Sequence, residues 1–240
     1  MNPMIEFNQV SFAYEAGTPV LQQVSFVAQP GESIGLVGAN GAGKSTLMKI
    51  LLGLLPYEGE VKVDGIKVEK KSLAEIRRKT GFVLQNSDNQ MFMPTVLDDI
   101  MFGLLNYGMS REEAEQKADA VLEQLGIAAL KHKYNHKVSG GEKRMAAVAT
   151  VLAMEPSVIV LDEPTSALDP YNRRTVINCM NRLQQTKLVA SHDLDMILDT
   201  CTRVLLIANG QIAADGPAEV ILKDKALLEA NRLELPLRYQ

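Results

Sequence analysis

Apolar residues recur along the chain with two periods, and the switches between them outline the fold. Near the N-terminus Ile5, Phe7 and Val10, then Val24, Phe26 and Ala28, alternate with polar neighbours, which predicts two short strands separated by a Gly17-Thr18-Pro19 turn. Ser33-Ile34-Gly35-Leu36-Val37 reads instead as a buried strand. Leu47, Ile50, Leu51 and Leu54 return at helical spacing, so a helix is expected directly downstream of it. Val61 and Val63 predict a further strand before the Asp64-Gly65 turn, and Ser72-Leu73-Ala74-Glu75 has the spacing of a capping box that starts a short helix.

A second capping box, Ser110-Arg111-Glu112-Glu113, precedes Ala114, Ala118, Val121, Leu122 and Leu125, with Gly126 as the stop signal. Residues from about 86 to 156 therefore read as mainly helical, between flanks that alternate strands and helices. The expectation is a helical subdomain inserted in an α/β core. Beyond it, Ser157 to Leu161, Leu188 to Ala190 and Val204 to Ile207 are strand-like runs separated by helical stretches, which favours a mainly parallel sheet with crossover helices. A chain of 240 residues accommodates one sizeable domain of this kind.

Composition narrows the functions. A net charge of -4 argues against a nucleic-acid partner, which calls for a basic excess, and Arg77-Arg78-Lys79 and Arg173-Arg174 read as solvated helix faces. Cys179 and Cys201 have neither metal-ligand spacing nor further cysteines around them, which suits a reducing compartment. Met1 to Glu6 shows no secretory pattern, and no apolar run approaches the roughly 18 residues of a membrane span. Any membrane role is expected to be borrowed from a partner.

Two segments carry chemistry. Gly38-Ala39-Asn40-Gly41-Ala42-Gly43-Lys44-Ser45 fits GxxxxGK[ST] between a strand and a helix. Glycines let the backbone wrap around the β- and γ-phosphates of a nucleotide, the helix N-terminus favours anions, Lys44 adds positive charge, and the Ser45 hydroxyl can ligate Mg²⁺. Val158-Ile159-Val160-Leu161-Asp162-Glu163 is an apolar strand ending in two carboxylates. At the carboxyl end of a strand they would lie beside bound phosphates, Asp162 holding Mg²⁺ or its waters and Glu163 polarising an attacking water.

With these segments in order along it, nearly the whole chain, 1–240, resembles the nucleotide-binding ATPase subunits of ATP-binding cassette (ABC) transporters. The resemblance implies a P-loop NTPase core with a mainly parallel sheet, an N-terminal antiparallel β subdomain, the helical subdomain at about 86–156 and a C-terminal extension at about 210–240. It also implies ATP and Mg²⁺ as ligands. Tyr14 matches the aromatic residue that stacks on adenine, Gly38 to Ser45 with Thr46 the phosphate loop, and Gln85 the glutamine that touches Mg²⁺ and the water. Val138-Ser139-Gly140-Gly141-Glu142 matches the signature motif, whose Ser139, Gly140 and Gly141 are expected at the γ-phosphate of a second subunit's ATP. Asp162-Glu163 matches the acidic strand end, Ser166-Ala167-Leu168-Asp169 the dimer-contact loop, and His192 the switch histidine.

The chain departs from the pattern at Val138 and Glu142, where the family has Leu and Gln, and at Met145, where it often has arginine; Arg144 stands one position earlier. Glu142 would bring negative charge towards phosphate unless it turns back to cap its own helix, which its spacing from Ser139 permits. The run Leu84 to Phe92, then Pro94-Thr95-Val96 and Asp99 to Gly103, is similar to cobalt/nickel-type and energy-coupling-factor importers, as is Leu233-Glu234-Leu235-Pro236. That branch implies a second ATPase subunit, homo- or heterodimeric, an integral membrane subunit, a substrate-binding membrane protein, and a place on the cytoplasmic face of the membrane. Another transporter branch and a non-transport ABC ATPase remain open alternatives.

Overall fold

In the computed structural model, which describes residues 2–15 and 17–240, β1 (Ile5–Glu15) and β2 (Thr18–Ala28) pair antiparallel. Alternation turns Ile5, Phe7 and Val10 inward, and Phe7 stacks on Phe26 with ring centroids 4.8 Å apart. The chain reverses before the expected turn ends, because Thr18 already pairs with Glu15 and Pro19 with Ala13. Pro19 is accommodated because β2 is the edge strand of its sheet.

β3 (Ser33–Val37) leads into α1 (Lys44–Leu51), and β4 (Glu58–Val63) and β5 (Ile66–Lys67) complete a four-stranded sheet in the order β2-β1-β4-β5. α2 (Leu73–Lys79) starts where expected, but the capping box at Ser72 does not form. Ser72 Oγ lies 2.5 Å from the Lys67 carbonyl and accepts from the Glu69 amide at 3.1 Å, so the preceding turn has taken the hydroxyl. β6 (Thr80–Val83) follows at once.

Between 86 and 156 the chain is helical: a 3-10 turn at Ser87–Asn89, α3 (Val96–Asn106), α4 (Arg111–Gln124) and α5 (Gly140–Leu152). Both capping boxes here are complete, Ser110 with Glu113 and Ser139 with Glu142. β7 (Val158–Asp162), α6 (Pro170–Arg182), β8 (Thr186–Ala190), α7 (Leu194–Thr200), β9 (Arg203–Ala208), β10 (Gln211–Pro217), α8 (Ala218–Ile221) and α9 (Lys225–Ala230) complete the order.

The second sheet runs β10-β9-β3-β8-β7-β6. Every pairing from β9 to β6 is parallel, and β10 alone joins antiparallel, on β9. β10 lies inside the stretch expected as a C-terminal extension, yet it hydrogen-bonds along the main sheet.

The uninterrupted apolar strands have a tertiary reason, since the parallel sheet is covered on both faces. Ile159 and Leu161 of β7 join a core with Val37, Val83 and helices α3 to α7. Val158 and Val160 point the other way, into a core with Ile34, Leu36, α1 and the small sheet. Removing one such side chain, as in Leu161→Ala, costs about 2–5 kcal/mol.

Candidate functional site

Parallel register puts four neighbouring strand ends at one edge of the sheet. Leu36 of β3 pairs with Ala190 of β8, and Ala190 pairs with Asp162 of β7. Val83 of β6 pairs with Leu161 beside them. At about 4.8 Å per strand step, the row from β3 to β7 spans only roughly 10 Å. The loops leaving these ends carry Gly38–Ser45, Ser191-His192, Glu163 and Gln85, so residues far apart in sequence leave the same edge of the sheet.

The loop after β3 has the form of an anion cradle. Gly43, the N-cap of α1, has φ 110° and offers no side-chain cap, so the first-turn amides are open to an anion. A Cβ there would sit 2.6 Å from Leu21 Cδ2 and 3.1 Å from the Val20 carbonyl oxygen. Glycine is therefore required by conformation and by space alike. Lys44 reaches back across the loop, its Nζ donating to Gly38 O at 2.6 Å and Ala39 O at 3.2 Å. Burial lowers its pKa, opposed by the charges of Glu163 and then Asp162, which ties this amine to the acidic strand end. Tyr14 stands beside the cradle, 59% exposed, with its hydroxyl 3.4 Å from Thr46 Oγ1 and its ring edge-on to Phe12.

The two acids differ in setting. Burial, and next the charge of Glu163, raise the Asp162 pKa, against Lys44, Lys49 and Arg144. Glu163 sits in the left-handed region at φ 45°, a strained conformation for a non-glycine residue, and its amide donates to Ala190 O at 2.9 Å. Its carboxylate accepts from Ser191 Oγ at 2.9 Å and the His192 amide at 3.0 Å. His192 Nε2 lies 3.6 Å from Glu163 Oε1. The carboxylate is thus held in place by the loop that follows β8 while the imidazole stays half exposed.

Residues 21–166 match the family described as ABC transporter. The chain belongs to the ABC transporter family, as an ATPase. A protein of Geobacter sulfurreducens named as an ABC transporter ATP-binding protein is 45% identical over 99% of this chain and 96% of its own length. The energy-coupling factor transporter ATP-binding protein EcfA of Methanothermobacter thermautotrophicus is 39% identical over 97% of this chain and 77% of its own. Among solved structures, cbiO1 from Clostridium perfringens, described as part of the ABC transporter complex cbiONQ, superposes with TM-score 0.86 at 30% identity, covering 96% of this chain and 94% of that one. The ATP-binding cassette MJ0796, solved as a dimer in a post-hydrolysis state bound to ADP and Pi, gives TM-score 0.80 at 28% identity over 90% of this chain and 99% of that one.

In this ABC ATPase the segment that resembles the signature motif opens α5, with Ser139 as its N-cap. Glu142 turns back, accepting from the Ser139 amide at 2.8 Å and pairing with Lys133 at 2.9 Å. These two contacts, the amide first, hold its pKa below the ordinary carboxylate value and direct its charge towards its own helix. Gly140 is open on its Cβ side, whereas a Cβ on Gly141 would fall 2.1 Å from Asn172 Cγ. Asn172 is itself tied to Asp169, the N-cap of α6 in the loop expected to contact a second subunit.

Gln85 follows β6 with its side chain exposed, and its backbone is held by Arg144 from α5. Ser191, which donates to Glu163, and Arg144, which donates to the Gln85 carbonyl, are not legible from the sequence as parts of this site. Only the place of Ser191 before His192 at a strand end hinted at it. Nothing in the spacing joined Arg144 to residue 85, about sixty positions away.

Among the described residues no helix is long and apolar enough to cross a membrane. Ser45, Gln85 and Asp162 offer hydroxyl, amide and carboxylate oxygens, and no group of three or more His, Cys, Asp or Glu forms a metal cage among the described residues. A few hard oxygen donors fit Mg²⁺, which keeps waters and shares phosphate oxygens rather than filling an all-protein site.

Proposed function

We propose that this chain is the ATP-binding and ATP-hydrolysing subunit of an energy-coupling-factor-type importer, energising uptake of a transition-metal ion such as cobalt or nickel, or of a vitamin. The observation that carries the reading is the convergence of four parallel strand ends, which brings Lys44 and Ser45, Asp162 and Glu163, His192, and Gln85 to one edge. Names of relatives that include EcfA and cbiO1 support the branch.

ATP docks its phosphates on Gly38–Thr46, where open amides and Lys44 offset negative charge, and its adenine stacks on Tyr14. Ser45, Asp162 and Gln85 hold Mg²⁺, which neutralises charge on the phosphates when bound. Glu163 accepts the proton of the attacking water, and its fixed carboxylate keeps that water in line. His192 donates towards the γ-phosphate from its half-exposed position. The signature residues Ser139, Gly140 and Gly141 complete the ATP site of a second ATPase subunit, so the pair closes on two nucleotides. An exposed aromatic pair, Phe92 and Phe102, ring centroids 4.9 Å apart, follows Gln85 and forms the dock for the membrane subunit. The helical stretch 86–156 acts as the moving subdomain, and the complex lies on the cytoplasmic face of the membrane.

Glu163→Gln tests the reading: it should bind ATP and trap a closed pair while turnover falls by at least about 10²-fold, the scale of a lost general base. Full ATPase activity of this variant would remove Glu163 from that role. Purification from native membranes should bring down integral membrane subunits, whereas recovery with ribosomes or DNA would overturn the transport assignment.

A further inference from the structure

The arginine displaced by one position in the signature helix has a definite place. Arg144 is 4% exposed, and its two terminal nitrogens donate to successive carbonyls, Nη1 to Leu84 O at 2.5 Å and Nη2 to Gln85 O. These carbonyls belong to the peptide planes on either side of the Gln85 Cα. A planar guanidinium that holds both planes restricts φ and ψ of Gln85 together, and so sets the direction in which its side chain leaves the backbone. Neighbouring contacts fasten the same loop to the same helix. Gln90 Oε1 accepts from the Leu84 amide at 3.0 Å, Gln90 Nε2 donates to Ala147 O at 2.8 Å and Thr150 Oγ1 at 2.9 Å, and Lys143 pairs with Asp88.

Arg144 also faces the acidic strand end. The Asp162 charge acts on the guanidinium and the guanidinium on Asp162, whereas no carboxylate pairs with Arg144 directly among the described residues. Burying a guanidinium is costly, and backbone carbonyls compensate less than an ion pair does. Met145, where the family often has arginine, is 4% exposed within the apolar core, so it can play no polar part.

We propose that Arg144 is the positioning residue for Gln85, orienting the amide that holds Mg²⁺ and joining the Gln85 loop to the signature helix as one unit. The proposal rests on the reading of Gln85 given above. Because α5 begins at Ser139, a displacement of the loop is carried directly to the residues that face the second subunit's nucleotide.

The test is a double-mutant cycle on the purified transporter complex, with ATPase rate measured against Mg²⁺ at saturating ATP for wild type, Arg144→Met, Arg144→Lys, Gln85→Ala and Arg144→Met/Gln85→Ala. Arg144→Met should lower kcat about tenfold and raise the Mg²⁺ needed for half-maximal rate severalfold, a loss of the size expected when a positioned ligand becomes free, with Mg²⁺-independent nucleotide binding unchanged. Arg144→Lys, which keeps charge and one donor direction, should fall between. In the Gln85→Ala background Arg144→Met should add nothing further. Should Arg144→Met fold poorly, the lysine variant still reports through the Mg²⁺ shift and through faster amide exchange at residues 85–87. Equal loss from Arg144→Met with and without Gln85 would show a general packing role and overturn the proposal alone. A Gln85→Ala protein with unchanged Mg²⁺ dependence would overturn the Gln85 reading and the proposal with it.

Discussion

Gly43→Ala separates two demands that the loop between β3 and α1 makes on one residue. The first is conformational: Gly43 has φ 110°, and an alanine held there carries about 1–3 kcal/mol of strain. The second is spatial, because the added methyl would lie 2.6 Å from Leu21 Cδ2, inside the ordinary carbon contact of about 3.5–4.0 Å. Leu21 is fully buried, so relief requires movement in a packed core, which costs about 1–3 kcal/mol more. Gly41 supplies the control, since its φ of 79° imposes strain but nothing lies within 4 Å of its Cβ position. Gly43→Ala should therefore lose about 4 kcal/mol and Gly41→Ala about 2 kcal/mol. At about 2–4 °C per kcal/mol for a chain of this size, the midpoints should fall by roughly 8–16 °C and 4–8 °C. Thermal melting of the purified chains, followed by circular dichroism without nucleotide, reads the difference. Equal melting temperatures for the two variants would refute the spatial half of the reasoning.

Other expectations follow from the same geometry. Asp162 has a raised pKa, so its carboxylate favours folding when protonated, and that contribution fades as pH rises from below 3.8 through the folded value. Asp162→Asn should then be more stable than wild type at pH 7, with the gap closing below about pH 4, while Mg²⁺-dependent turnover is lost; denaturant titrations at both pH values check this, and a constant gap would count against it. Phe92→Ser should weaken co-purification of the membrane subunit by removing an aromatic that is 63% exposed, and undiminished recovery would exclude this surface as the dock. Gly141→Ala should lower ATP turnover partly by displacing Asn172, so Asn172→Gly should restore some of it; no restoration would leave the methyl acting only across the subunit interface.

Local pattern made several local elements of the candidate site legible. The Gly38–Ser45 loop, the Asp162-Glu163 strand end and the two complete capping boxes each reside in a few consecutive residues, where spacing alone carries the geometry. Ser72 shows the limit of that reasoning, because the same spacing failed once a competing turn at Lys67 and Glu69 claimed the hydroxyl. β10 is illegible in the sequence for a related reason. Its residues Gln211–Pro217 include Gly, Pro and Asp and are half exposed, so only pairing with β9 makes them a strand.

What the sequence determined by itself is the glycine-rich loop before α1, the acidic end of β7 and the class of fold that carries them, because those depend on residue type and short-range order. The tertiary structure decided how they meet. Parallel register alone lines up Leu36, Ala190 and Asp162, and only helix packing brings the Arg144 guanidinium onto the carbonyls around Gln85. Such contacts join residues far apart along the chain, and no local periodicity encodes which side chain of one element will reach which carbonyl of another.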